Sequence, residues 1–142
     1  MPTTIDLDPD GPHDPKRTQQ LADVAAEAIR TLNYATRSKD GLRDPGDAYE
    51  LLGTLAQLAE RLPQLCGQIR DYLTDAHNRR ELFEPANGPH QGSTALAVML
   101  TRDALGQAAG DATTMREAIR NAQSEIRAVR YAGPDRNDDT EA

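Results

Sequence analysis

The three histidines are the side chains of this chain best suited to bind a metal ion, but their spacing does not favour a metal site. His13 lies in a proline-rich segment, His77 near the end of a predicted helix and His90 in a predicted loop. None of them forms a Glu-x-x-His or His-x-x-x-His pair, the spacings with which one helix presents two ligands on one face. We therefore expect no metal ion and no cofactor.

Patterns for nucleophilic catalysis and for phosphate binding are also missing. The sequence contains no Gly-x-Ser-x-Gly turn and no glycine-rich phosphate loop. Its one cysteine, Cys66, lies on a predicted apolar helix face, where a buried small hydrophobic residue is expected rather than a reactive thiol. The sequence thus predicts a protein that is not an enzyme.

Four arginines near the C-terminus form the one group that could bind an anion: Arg116, Arg120, Arg127 and Arg130. They share a flank of a predicted helix. This flank could bind an acidic protein, a nucleotide phosphate or the acidic ends of the chain itself. The alternative is a solvated flank, in which Glu117 and Glu125 are interleaved with the arginines.

The distribution of charge argues against a general nucleic-acid-binding protein. The formal net charge is −7. Residues 1–15 carry four Asp, and residues 133–142 carry four acidic residues and one Arg, so the two ends account for the whole excess. The part between them is neutral, whereas affinity for nucleic acids comes largely from neutralising phosphates.

The elements that would hold these residues are helices, because apolar residues recur at spacings of three and four in three stretches. The central stretch has two rows. The first row, which requires a partner helix, is Ala48, Leu52, Leu55, Ala59, Leu62, Cys66, Ile69 and Leu73. The second row, which widens the stripe enough for another neighbour, is Leu51, Leu58, Leu65 and Tyr72.

The third stretch predicts a long amphipathic helix. Its predicted contact row is Val98, Thr101, Leu105, Ala108, Ala112, Met115, Ile119, Ala122, Ile126 and Val129. Gly106 and Gly110 lie within this helix. They indicate either the close approach of another helix or a flexible point in a long one.

We predict three helices, at about residues 16–38, 46–81 and 93–132. A kink at Pro63 is favoured over a break, because the apolar repeat passes this residue without losing phase. The second and third helices would be about 54 and 60 Å long, so they match as a hairpin that the shorter first helix covers in part. The predicted fold is all-α: a three-helix bundle built on a long antiparallel helical hairpin over residues 16–132, with disordered acidic tails at 1–15 and 133–142.

Two resemblances add to this interpretation. The segments Arg30-Thr-Leu-Asn-Tyr-Ala-Thr, Tyr49-Glu-Leu-Leu-Gly-Thr-Leu and Arg61-Leu-Pro-Gln-Leu resemble short actinobacterial all-helical proteins without assigned activity, which implies a bacterial, helical protein. Tyr131 and Asp135 resemble the Tyr-x-x-x-Asp/Glu export signal of type VII secretion substrates, the WXG100-like helical hairpins. The Trp-x-Gly turn of that family is absent from the predicted loop between the second and third helices.

The expected function is that of a non-catalytic helical protein–protein interaction or assembly protein in the cytoplasm. No signal peptide and no membrane-spanning run of apolar residues is recognisable. The alternatives are an exported hairpin protein and a small regulator that binds nucleic acid or a nucleotide through the arginine flank. Because the first helix is too short to cover the hairpin, we expect a homodimer that buries either Leu65, Ile69, Tyr72 and Leu73 or Leu51, Leu52 and Leu55. The alternative is that a different partner protein binds this surface.

Overall fold

In the computed structural model, which describes residues 4–132, the described chain contains three helices and no strand. The helices are α1 (Pro15–Arg37), α2 (Pro45–Asn78) and α3 (Thr94–Glu125). The chain divides after Arg43 into two compact units, the first with α1 and the second with α2 and α3. The prediction of an all-α protein is confirmed for the described residues.

The first unit consists of α1 and the acidic segment before it. The Asp14 carboxylate accepts a hydrogen bond from the Arg17 backbone N–H at 2.8 Å and so caps the helix. The Arg17 guanidinium donates at 2.7–3.0 Å to the backbone carbonyls of Asp6, Asp8 and Pro12. Arg17 thus holds the acidic segment against the first turn of α1. No residue of α1 is buried.

Helix α2 runs through Pro63 as one continuous helix of 34 residues, as the unbroken repeat predicted. It begins with a capping box in which the Asp44 carboxylate accepts from the backbone N–H groups of Gly46 (2.6 Å) and Asp47 (3.2 Å). It ends at Asn78, three residues before the predicted end. Arg80 has a φ of 60°, a left-handed conformation that ends the helix.

Helices α2 and α3 pack against each other, and the side chains that are fully buried in this unit are mostly small. The buried residues of this unit are Ala56, Ala59, Ala76, Val98 and Ala112. Alanine side chains let two helix backbones approach closely, but each removes little apolar surface from water. The first predicted row of α2 is buried or half-buried, Cys66 included, except for Ile69, which is 44% exposed.

The predicted contact row of α3 is right at every second position and wrong at the others. Val98, Leu105, Ala112, Ile119 and Ile126 are buried or half-buried as expected. The alternate members of the predicted row are all exposed: Thr101, Ala108, Met115, Ala122 and Val129. The places of Ala108, Met115 and Ala122 are taken by Ala109, Arg116 and Gln123, each one residue later. In a helix of 3.6 residues per turn, positions three and four residues on lie on opposite flanks of the same seam, so the spacing alone does not choose between them.

Two further expectations for α3 are corrected. The helix ends at Glu125 rather than near residue 132. Gln123 contacts Tyr49 in the first turns of α2, so few residues of α2 remain to support a longer α3, and most helical stability comes from such packing. Gly106 and Gly110 face open space: a Cβ added at either position meets no atom within 4 Å.

Replacing Arg80 by glycine should stabilise α2. In the left-handed conformation a Cβ costs roughly 1–2 kcal/mol, of which glycine's greater freedom in the unfolded state returns part. We expect Arg80→Gly to raise the free energy of unfolding, measured in urea by circular dichroism, by about 1 kcal/mol. Arg79→Gly is the matched control, because Arg79 has a φ of −81° and should gain nothing. An equal change in the free energy of unfolding of both variants would contradict a left-handed conformation at residue 80.

Alanine at the open glycines should stabilise α3. Gly106→Ala and Gly110→Ala are each expected to raise the free energy of unfolding by about 1 kcal/mol, because alanine has the higher helix propensity and its Cβ meets no neighbour. Gly53→Ala is the control, since its Cβ would lie 2.7 Å from Gln123 Nε2 and should disturb the contact with α3. A loss of stability in Gly106→Ala would mean that another helix packs there.

Candidate functional site

One side of the α2–α3 pair is held together by polar contacts. Arg116 Nη1 lies 3.3 Å from Glu60 Oε1, and Arg120 Nη2 lies 3.4 Å from Glu60 Oε2, so a single carboxylate of α2 binds two arginines of α3. On the same side, Gln123 Nε2 donates to the backbone carbonyl of Tyr49 at 3.1 Å. We call the side defined by Glu60, Arg116, Arg120 and Gln123 the polar side.

The four arginines predicted as an anion-binding flank are therefore not equivalent. Arg116 and Arg120 both pair with Glu60 along the polar side of the α2–α3 pair. Arg127 and Arg130 lie beyond the end of α3, where Arg130 Nη1 donates to the carbonyls of Arg127 (3.2 Å) and Val129 (3.0 Å). Arg116 and Arg120 thus join α3 to α2, whereas Arg130 binds backbone carbonyls in the segment after α3. The structure does not bring the four together as one phosphate site.

A recess of about 630 Å³ lies where the first turn of α2 meets the segment after α3. Its lining mixes carboxylates, guanidinium groups and two tyrosines: Asp44, Pro45, Gly46, Tyr49, Glu50, Ile126, Arg127, Val129, Arg130 and Tyr131. The Asp44 carboxylate in this lining caps α2 by accepting from the backbone N–H groups of Gly46 and Asp47. Tyr131, of the predicted export signal, lines this recess and is 71% exposed, while Asp135 lies outside the described residues.

The opposite side of the α2–α3 pair is apolar, as the positions of neighbouring residues on each helix require. Glu60 and Leu58 lie about 100° to either side of the buried Ala59. Arg116 and Met115 likewise lie on opposite flanks of the buried Ala112. Because Glu60 and Arg116 contact each other on the polar side, Leu58 and Met115 share the other side.

This apolar face continues along both helices with the same spacing. On α2 the exposed fractions are 38% for Leu58, 51% for Leu65, 44% for Ile69 and 67% for Tyr72, while Leu51 is half-buried. On α3 the face is formed by the exposed, alternate members of the predicted contact row, with Met115 50% exposed and the small Ala108 and Ala122 on either side of it along the helix. We define the apolar face as Leu58, Leu65, Ile69 and Tyr72 of α2 with Ala108, Met115 and Ala122 of α3. Exposed apolar side chains thus follow one side of the α2–α3 pair, opposite the contacts of Glu60.

The loop between α2 and α3 is organised by one carboxylate that the sequence did not single out. Glu84 accepts hydrogen bonds from the backbone N–H groups of His90 (3.2 Å) and Gly92 (3.1 Å), and His90 Nδ1 lies 2.8 Å from its Oε1. The Glu84 backbone N–H donates to Thr94 Oγ1 at 3.0 Å, in the first turn of α3. Burial of this carboxylate opposes its ionisation, but the hydrogen bonds from His90 and Gly92 outweigh burial and hold the pKa of Glu84 below its ordinary value.

Two kinds of site are absent from the described residues. Residues 4–132 contain no group of three or more His, Cys, Asp and Glu side chains that could hold a metal ion. Among the helices described here, none is long and apolar enough to cross a membrane.

Comparison of the chain with models of protein families, with curated proteins and with solved structures finds no match. The resemblances drawn from the sequence therefore stay predictions, and the function is argued from the surfaces of the protein itself.

The Glu84 contacts should make stability depend on pH. Since the pKa of Glu84 is lower in the folded state, its carboxylate stabilises the fold at a pH above the unfolded-state value, and this contribution is lost as the pH falls through the folded-state pKa. Glu84→Gln should lower the urea midpoint near neutral pH, and its difference from the wild type should shrink below about pH 4. Glu81→Gln is the control, because Glu81 forms only an exposed pair with Arg79. A deficit that stays constant with pH would contradict this role of Glu84.

Proposed function

We propose that this protein is a non-catalytic helical interaction protein that binds another protein chain through the apolar face. The single observation that carries the proposal is the exposure of Leu65, Tyr72 and Met115, each half-exposed or more, on one side of the α2–α3 pair. Aromatic residues and methionine are enriched at protein interfaces and are poor choices for a surface that contacts water alone. The polar side has its charges paired between α2 and α3, so it offers less to a partner.

The proposed architecture is an antiparallel hairpin of α2 and α3, to which α1 contributes a third helix of a bundle. The first part is supported by contacts that join Tyr49 to Gln123, Glu60 to Arg116 and Glu84 to Thr94, since late residues of α3 meet early residues of α2. The second part is supported by the apolar row of α1 in the sequence: Leu21, Ala25, Ala28, Leu32 and Ala35. We further propose that the protein acts in a bacterial cytoplasm and that assembly, rather than catalysis, is its activity.

Photo-cross-linking in host cells tests whether the apolar face binds a protein. A photoreactive phenylalanine derivative at Tyr72 should give a discrete protein adduct on irradiation. The same group at Arg102, which is exposed on the polar side of α3, should give none. Leu65→Glu in the Tyr72-labelled chain should abolish the adduct, because a carboxylate would be buried in the interface. Equal adducts at both positions, or none at Tyr72, would contradict an interaction through this face.

A further inference from the structure

Along α2, the apolar face is bordered by a row of polar residues on the edge remote from α3. Arg61, Gln68 and Asp75 each follow a residue of the face by three positions, after Leu58, Leu65 and Tyr72 respectively. Ala59, which faces α3, lies one residue after Leu58, so a step of three moves away from α3. We call Arg61, Gln68 and Asp75 the border row.

The border row has opposite charges at its two ends. All three residues are exposed, and within residues 4–132 neither Arg61 nor Asp75 takes part in an ion pair or a side-chain hydrogen bond. Gln68 lies midway, seven residues from each. When two copies of this row lie antiparallel with Gln68 opposite Gln68, the Arg61 of each copy faces the Asp75 of the other.

This pattern distinguishes between the ways in which two copies of α2 could pair. In an antiparallel helix pair related by a two-fold axis the same flanks of the two helices meet, whereas in a parallel pair each flank meets the opposite one. A parallel pair would place the border row against Ala59, Cys66 and Leu73, which carry no charge. An antiparallel pair centred at Gln68 places Arg61 beside the partner's Asp75, and Asp75 beside the partner's Arg61.

The same two-fold axis also aligns the apolar side chains. With Gln68 at the axis, Leu65 lies near the partner's Tyr72, and the two Ile69 side chains lie next to the axis. On α3 the corresponding side carries two carboxylates, Asp111 and Glu125, which are exposed and would be costly to bury. The contact is therefore centred on α2, with α3 at its edge.

We propose that the occupant of the apolar face is a second copy of this chain, bound as a symmetric dimer in which the two α2 helices pair antiparallel about Gln68. This inference rests on the proposed function, because it names the partner for the interaction surface already described. The interface consists of Leu58, Leu65, Ile69 and Tyr72 from both chains, and two Arg61–Asp75 pairs close its borders. A symmetric contact of this kind uses the same patch on both subunits and so ends at a dimer.

Charge reversal at the border row tests the register. Light scattering coupled to gel filtration of the full-length protein at micromolar concentration should give about twice the chain mass of 15.5 kDa. Arg61→Asp places like charges together at both borders and should weaken the dimer about tenfold, and Asp75→Arg should do the same. The double variant Arg61→Asp/Asp75→Arg exchanges the charges and should restore the dimer. Arg102→Asp, the same change on the polar side of α3, should leave it unaffected.

A cross-link locates the two-fold axis independently of the charges. In a Cys66→Ser background, Gln68→Cys should join two chains through a short bismaleimide, whereas Gln57→Cys should not. A monomer at every concentration would overturn the proposed dimer. A dimer that is indifferent to Arg61→Asp and is not joined at residue 68 would overturn it equally.

These results separate the dimer from the proposed function. If the purified chain is a monomer while Tyr72 still cross-links to a different protein in cells, the dimer is wrong and the interaction surface stands. If Tyr72 cross-links to no protein, including a second copy of this chain, both proposals fall.

Discussion

The small side chains between α2 and α3 are the constraint on which the rest of the second unit depends. Ala56 and Ala59 are fully buried and face a seam that also holds Ala112. An alanine contributes little apolar area, and hydrophobic stabilisation is roughly proportional to the area removed from water. Leu58 and Leu65, which would contribute more, lie outside this seam, whereas Leu52, Leu55, Leu62 and Leu73 are half-buried along it. Leu58, Leu65 and Tyr72 stay exposed on the apolar face, so burial of their side chains contributes little to the stability of the isolated helix pair.

Polar contacts at three positions along the helix pair add to the small hydrophobic stabilisation of its seam. Gln123 joins α3 to the carbonyl of Tyr49 near one end, Glu60 binds Arg116 and Arg120 at an intermediate level, and Glu84 organises the connecting loop at the other end. Each contact is partly exposed, and exposed ion pairs contribute at most about 1 kcal/mol. Their larger effect is on specificity. They fix which flank of α3 faces α2, and thereby which apolar residues stay in contact with water.

How much of this could be predicted from the sequence depends on the element. The seam of α2 was predictable, because its apolar repeat continues without a break past Pro63. The seam of α3 was only half predictable, because Met115 and Arg116 flank the same buried alanine and hydrophobicity alone favours Met115. The structure places Arg116 in the seam, where Glu60 neutralises it. The opposite charges of Glu60 and Arg116 could have indicated this pair. The prediction missed it because it assigned every charged residue to a solvated helix face. The role of Glu84 depends on two backbone N–H groups whose positions no side-chain pattern encodes.

The exposed leucines and the alanine seam have a common consequence for stability. Anything that binds the folded chain and not the unfolded one stabilises it by mass action. If the apolar face is covered by a second copy, part of the free energy of unfolding belongs to the association and rises with protein concentration. Folding and binding are then not separate properties: the residues left out of the seam, Leu65 and Tyr72 above all, stabilise the chain only where a partner covers them. A helix pair that buried Leu65 and Tyr72 in its own seam would be more stable alone and would have no such surface to offer.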